Sequence, residues 1–493
     1  MKKILFLVLL PFLLHAQHDD DIKALDAYVK QGMKDWQVPG LSIAVVKDGK
    51  KLFSKGYGVI DIESNQPVTT SSRFMIGSTT KAMTALSLAI LVDEKKLNWD
   101  DKVIDHYPEF QLNDAYSTRD ITIIDLLSHR AGLGNADFLW SMNDISSEEI
   151  VKRLKYVEPS YPLRGGYTYQ NIMYLVAGMV IEKVSGQPWK DFIKERIFDP
   201  LKMSNSRALY ADISNESDYV QPHYIIDDKV QITSFLTADR IGPAGSIWST
   251  SDDMSNWMLM LLDSGQFNNQ RIISRERIGE LWGTYNIIPQ EQFYPTTKVT
   301  KPNWTTYGLG WFQHDYQGYK LQFHTGSLPG LTAIIGLIPE LDFGVYVFGN
   351  LDHAELRHAL MYKAIDLFFD MGDTDWNKEF IELYWNLDKE NEKQQAESLS
   401  GQIEGTNPSL QLPDYIGEYS DPLYGKVMIT QKGKVLKAEF TKSLSAELSH
   451  WHYDSFLAEW NVAYSKPNLV SFKLDSQGKV ESLSFGSFSY SKE

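Results

Sequence analysis

The chain contains no cysteine in 493 residues. That excludes a disulfide frame, a thiolate metal site and a lipid-anchored cysteine behind a leader. It is also short of positive charge, with 48 Lys+Arg against 64 Asp+Glu and a net charge of −16. A surface of that sign repels nucleic acid and anionic lipid, so neither is expected as a partner. No zinc signature, P-loop or dinucleotide glycine motif is present, and the chemistry is expected to need no cofactor and no metal. The apolar run Ile4 to Leu14 is too short to span a membrane. With Lys2 and Lys3 before it and Leu14-His15-Ala16 at its end, it reads as a secretory signal peptide over residues 1–16. The protein is therefore expected to be periplasmic or secreted.

What is present is the composition of a buried globular protein, 43% hydrophobic and 13% aromatic, long enough for two or three domains. Ile22 to Trp36 has apolar residues at helical spacing. Leu41 to Val46 and Leu52 to Val59 flank Asp48-Gly49 and read as a hairpin. A helix over residues 121–127 runs into Ser128-His129, where His129 is read as tying down the helix end and Gly132 as its left-handed turn. Gln170 to Val184 and Asp253 to Leu262 are expected to be helices, the latter opened by a turn-rich loop at Gly242 to Thr250. Late in the chain come Leu321 to Ser327, a hairpin of Thr332 to Ile338 with Phe343 to Phe348, and an amphipathic helix from Glu355 to Phe369.

A hairpin early, helices between, and strands plus a helix late predict an α+β fold. Its antiparallel sheet joins both ends of residues 17–370 and is flanked by helices, beside an all-helical region. Residues 371–413 read as a helical junction and linker, with a charged helix over Trp376 to Leu399. Residues 414–493 switch to short alternating strands with Lys-Gly and Gln-Gly turns, which predicts a small meander half-barrel or barrel.

The chemistry centres on Ser78-Thr79-Thr80-Lys81. An apolar run reaches Gly77 and a helix former follows to about Leu91, so Ser78 falls at a helix start with Lys81 one turn on. The positive end of the helix favours a developing alkoxide, and a desolvated lysine loses its proton near neutral pH. The spacing alone carries little weight, because Ser476 to Lys479 and Ser489 to Lys492 repeat it. Ser78 is set apart by two later motifs in order, Tyr169-Gln170-Asn171 and His324-Thr325-Gly326.

The ordered set of Ser78-x-x-Lys81, Tyr169-x-Asn171 and His324-Thr-Gly resembles the serine β-lactamase and penicillin-binding-protein superfamily, especially its class C β-lactamase-like esterases and D-amino-acid peptidases. Leu126 to Leu133, Gly186 to Trp189, Pro200 to Met203 and Tyr307 to Trp311 are similar to stretches of the same family, so the resemblance covers roughly residues 20 to 370. It implies Ser78 as nucleophile, with Lys81 and Tyr169 sharing the acid–base role. It also implies that Asn171, His324, Thr325, Gly326 and Ser327 line the substrate, with an oxyanion hole from the backbone N–H groups of Ser78 and Ser327. For Tyr169 to act as a base, nearby cations would have to pull its pKa down from about 10.

The chain departs from that pattern at Gln170, where serine is usual, and at His324, where lysine is usual. Histidine is only partly charged near neutral pH, which weakens the case for β-lactam hydrolysis and for recognition of a substrate carboxylate. A buried, neutral, structural His324 is the other reading of that residue. The terminal domain resembles the lipocalin-like β domain attached to some members. The resemblance implies an exported hydrolase of a small-molecule or peptide amide or ester, with an oligomer possible. Two alternatives stand beside it: a penicillin-recognising sensor that acylates with little turnover, and a lipocalin-type carrier with an inactive hydrolase domain.

Overall fold

The computed structural model describes the backbone from Phe6 and side chains from His18. The signal peptide expected over residues 1–16 lies outside the fully described residues. Among the described residues, no helix is long and apolar enough to cross a membrane.

Segments far apart in sequence build the sheet against which the site stands. Gly40–Lys47 pairs with Lys50–Gly58 on one side and with Phe343–Gly349 on the other. The sheet then continues through Leu331–Ile338, Tyr319–Leu328, Phe312–Tyr316, Thr305–Tyr307 and Asn286–Ile287, eight antiparallel strands in all. The joining of both ends in one sheet is as expected from the sequence.

Leu331–Ile338 and Phe343–Gly349 are buried at every position because both faces of the sheet are covered. Side chains alternate between the two faces. Ala333, Ile335, Leu337, Tyr346 and Phe348 join the apolar cluster that holds Met83, Leu86, Ile172 and Val176. Ile334, Ile338, Val345 and Val347 join the cluster that holds Leu25, Val29, Leu360 and Ile365. The helix Leu356–Phe369 departs from the amphipathic expectation. It buries Arg357, His358 and Tyr362 as well as its apolar stripe, because Phe6–Asp35 and Trp376–Leu399 both pack over it.

The last strands form a closed barrel rather than a half-barrel. Eight strands from Gly417–Asp421 to Phe488–Lys492 follow in meander order, and the first pairs with the last through Tyr419 and Lys492. Val427, Ile429, Leu436, Phe456, Phe472 and Leu483 fill the interior with apolar side chains. The barrel docks on the helical region. Phe138 packs between Tyr424 and Phe488, with ring centroids 4.9 and 5.3 Å away, and Arg153 Nη1 donates to the Leu423 carbonyl at 3.3 Å.

Candidate active site

The segment carrying Ser78 is held at both ends. Phe74–Met75 pairs with Trp248–Ser249, and the helix expected to start at Ser78 begins instead with a tight 3-10 turn, Gly77–Thr79, ahead of the α-helix Thr80–Asp93. The turn lies against the strand Tyr319–Leu328 at van der Waals distance. Gly77 has φ +52°, and a Cβ there would stand 2.7 Å from the Ser327 nitrogen. A Cβ on Gly326 would stand 1.9 Å from the Ile76 carbonyl oxygen. Both positions need glycine because backbone meets backbone. This contact brings Ser78 next to Ser327, the two residues whose N–H groups are candidates for an oxyanion hole.

Lys81 is fully buried one turn along, and its Nζ donates to Ser78 Oγ at 3.0 Å, to Asn171 Oδ1 at 2.7 Å and to the Ala244 carbonyl at 2.8 Å. The carbonyl comes from Gly242–Gly245, which the sequence reading took for loop and which forms a helical turn. Burial lowers the lysine pKa to about 7, with Asp137 pulling the other way. Ser78 Oγ therefore sits against an amine poised to exchange a proton near neutral pH. When the amine is neutral, its lone pair can accept from the Ser78 hydroxyl.

Tyr169 and Asn171 stand at the entrance of the helix Asn171–Ser185. Lys81 Nζ lies 4.9 Å from the centre of the Tyr169 ring. Burial holds the Tyr169 phenol well above its ordinary pKa, with a hydrogen bond to Ser78 offsetting this only in part. The lowering by cations that a tyrosine base requires is not found, so the phenol stays protonated. Gln170 turns away, as its variant position allows, and donates from Nε2 to the Leu133 and Gly134 carbonyls at 2.8 and 2.7 Å.

Two residues that the sequence reading did not assign to the site hold this entrance in place. Asn171 Nδ2 donates to Asp137 Oδ2 at 2.9 Å, and Trp140 Nε1 donates to Asp137 Oδ1 at 3.1 Å. His129 Nδ1 accepts the Gln170 N–H at 3.1 Å, which places the ring proton on Nε2. Burial, helped by the charge of Lys81, keeps His129 neutral. His129 is thus the tie at a helix end that the sequence suggested, although it takes the left-handed conformation itself (φ +57°) ahead of Gly132.

His324 corrects the expectation of a partial cation touching substrate. The ring is fully buried, Nδ1–H donates to the Thr325 carbonyl at 2.7 Å, and Nε2 accepts from the Tyr307 hydroxyl at 2.8 Å. Burial and the nearby Lys81 charge push its pKa down to about 3, so it is neutral and both nitrogens are spent. The alternative reading of His324 as a structural histidine is the one the geometry matches. Thr325 is also largely buried, and its Oγ1 meets the Tyr294 hydroxyl at 2.5 Å, whereas Ser327 is exposed. Arg357, from the helix Leu356–Phe369, reaches the same strand and donates from Nη1 to the Gly326 carbonyl at 2.6 Å and to Ser327 Oγ at 2.7 Å. Its place on a helix 30 residues downstream left no signal in the sequence.

The Beta-lactamase family model matches residues 25–368, and a second model, a domain of unknown function (DUF3471), matches residues 402–493. The unguisins hydrolase ungD' of Aspergillus campestris is 29% identical over 420 residues, covering 81% of this chain and 76% of that protein. Among solved structures, the octameric penicillin-binding protein homologue of Pyrococcus abyssi has a TM-score of 0.61 at 22% identity, covering 96% of this chain and all of that one. The D-amino acid amidase of Ochrobactrum anthropi SV3 has a TM-score of 0.57 at 23% identity, covering 70% of this chain and 98% of that one. Both structural likenesses are of fold.

Proposed function

The chain belongs to the beta-lactamase family and is a serine hydrolase of that family, and from that premise we propose that it cleaves amides or esters through an acyl-enzyme on Ser78. The observation that carries this reading is the fully buried Lys81, 3.0 Å from Ser78 Oγ, with its pKa lowered to about 7. Ser78 Oγ attacks the substrate carbonyl while its proton passes to Lys81 Nζ, and the N–H groups of Ser78 and Ser327 receive the oxyanion. Collapse breaks the bond to the leaving group, which takes a proton from the Tyr169 phenol as Lys81 returns its own to the phenol. Water then attacks the acyl carbonyl by the reverse proton path, releases the acid and restores the Ser78 hydroxyl. Asn171, braced by Asp137, keeps the amine aimed at Ser78.

The substrate classes that this reading favours are D-amino-acid amides and peptides, the first in keeping with the D-amino acid amidase among the structural relatives, together with cell-wall fragments and small esters. The neutral His324 argues against efficient β-lactam turnover. A panel of nitrocefin, p-nitrophenyl esters and D- and L-aminoacyl amides, run on wild type and Ser78→Ala, tests the proposal. Ester or amide cleavage is expected that Ser78→Ala abolishes, with slow or no nitrocefin turnover. One equivalent of product followed by silence would instead favour a sensor, and activity surviving in Ser78→Ala would overturn the assignment. Export remains part of the proposal, on the strength of residues 1–16; a cellular pool found entirely in the cytoplasm with Met1 retained would contradict it.

A further inference from the structure

The charges around Ser327 point to what a substrate must lack. The pairing of Tyr319–Leu328 with Phe312–Tyr316 stops at Phe323, so the stretch from His324 to Leu328 has one edge free for an extended substrate beside Ser78. In the pose taken here the leaving portion of a ligand lies along that edge beside Ser327, and behind Ser327 stands the Arg357 guanidinium.

Arg357 would be a carboxylate anchor if its fork were open, but four of its five N–H donors are already engaged. Nη2 and Nε donate to the two oxygens of Glu355 at 3.0 and 3.1 Å, while Nη1 serves Gly326 and Ser327. Arg357 and Glu355 are buried together, at 5% and 6% side-chain exposure. Burial alone would raise the Glu355 carboxyl, but the charge of Arg357 outweighs it and keeps Glu355 ionised. The two-point contact is the strong form of this pair, and the combined charge presented to the edge is zero. The other basic groups touching the site do not replace it. His129 and His324 are neutral, and the three Lys81 donors are used by Ser78, Asn171 and Ala244. His358, 3.4 Å from Glu355, is held neutral by burial, with its pKa pushed down to about 3. Asp137 and the net charge of −16 add repulsion for an anion.

We infer that this site takes esters and amides whose leaving portion bears no carboxylate beside the scissile bond, and that Glu355 is the residue that sets this preference by claiming Arg357. Amidated, esterified or ring-closed peptide termini meet that requirement, and free C-terminal carboxylates do not. The inference rests on the placement of substrate at Ser78 and Ser327 proposed above.

A matched pair of substrates tests it: the 3-carbamoylphenyl and 3-carboxyphenyl esters of phenylacetylglycine, of nearly equal size and differing by one charge. Wild type is expected to prefer the carbamoyl ester in kcat/KM by about ten-fold or more, the size of one uncompensated charge near a partly desolvated site. Glu355→Gln frees Arg357 and is expected to cut that preference about ten-fold, chiefly through a lower KM for the carboxylate ester. The double variant Glu355→Gln/Arg357→Gln removes both charges and is expected to restore a preference like that of wild type. Should Glu355→Gln fail to fold, Glu355→Asp, which keeps the charge and breaks the two-point contact, is read in the same direction with a smaller change. Equal use of the two esters by wild type, or equal losses on both in Glu355→Gln, would overturn the inference. Failure of the underlying reading looks different, since neither ester would then show Ser78-dependent cleavage.

Discussion

Replacing Asp137 with asparagine should move the pH dependence of catalysis without changing the shape of the site. The carboxylate is one amide group away from the ammonium. Lys81 Nζ is 2.7 Å from Asn171 Oδ1, and Asn171 Nδ2 is 2.9 Å from Asp137 Oδ2. The two charges are therefore roughly 7 Å apart, an attraction of about 2 kcal/mol at an effective dielectric of about 20. One pKa unit corresponds to about 1.4 kcal/mol, so losing the charge, allowing for the dipole of the new amide, lowers Lys81 by about one unit. The new amide oxygen can keep the bond from Asn171, which holds the lysine side of the network in place, while the Trp140 N–H loses its acceptor. Lys81 acts in its neutral form, and kcat/KM therefore rises with pH through the lysine pKa of about 7. In Asp137→Asn that acid limb should shift to lower pH by about one unit. The assay is kcat/KM for a p-nitrophenyl ester from about pH 5 to 9. An acid limb that stays in place, or moves upward, would refute the argument that Lys81 is the base whose pKa Asp137 supports.

Three further substitutions probe the same construction. Lys81→Met should cut turnover by roughly a thousand-fold, in line with loss of a positioned base. It should also change how stability depends on pH. In wild type the unfolded lysine binds a proton between about pH 7 and 10.5 that the folded one does not, so stability rises with pH across that window; thermal melts should show the rise in wild type and lose it in the variant. Gly326→Ala places a methyl 1.9 Å from the Ile76 carbonyl and should cost about 3 kcal/mol or more along with activity; a folded, fully active variant would contradict the contact between turn and strand. Tyr307→Phe leaves buried His324 Nε2 without its donor and should cost about 1–3 kcal/mol in urea unfolding, whereas unchanged stability would argue that His324 is not fixed as described.

The parts of the fold legible in the sequence were those written as short-range pattern. Thr332 to Ile338 and Phe343 to Phe348 announce a hairpin because both faces of those strands are apolar, and Trp376–Leu399 announces a helix through its spacing and charge. The barrel strands Ser445–His452 and Ser455–Trp460 were not singled out, since half-exposed residues such as Ser449 and His450 in the first blur its alternation. Within the site, Ser78, Lys81, Tyr169 and Asn171 were legible as spaced motifs. Asp137, Tyr307 and Arg357 were not, because they reach the site through tertiary contacts from a loop, an interior strand and a distant helix. His324 shows the limit of reading charge from residue type. The same imidazole is a partial cation in water and a neutral hydrogen-bond bridge once Tyr307 and Thr325 enclose it.

The most direct test of the central claim is the intact mass of the folded protein after exposure to a fluorophosphonate, with the modified residue located by peptide sequencing. One adduct, on Ser78, absent from Ser78→Ala and slowed in Lys81→Met, is the predicted result. A folded wild-type protein that takes up no label, or carries it on another residue, would contradict the assignment of Ser78 as the nucleophile.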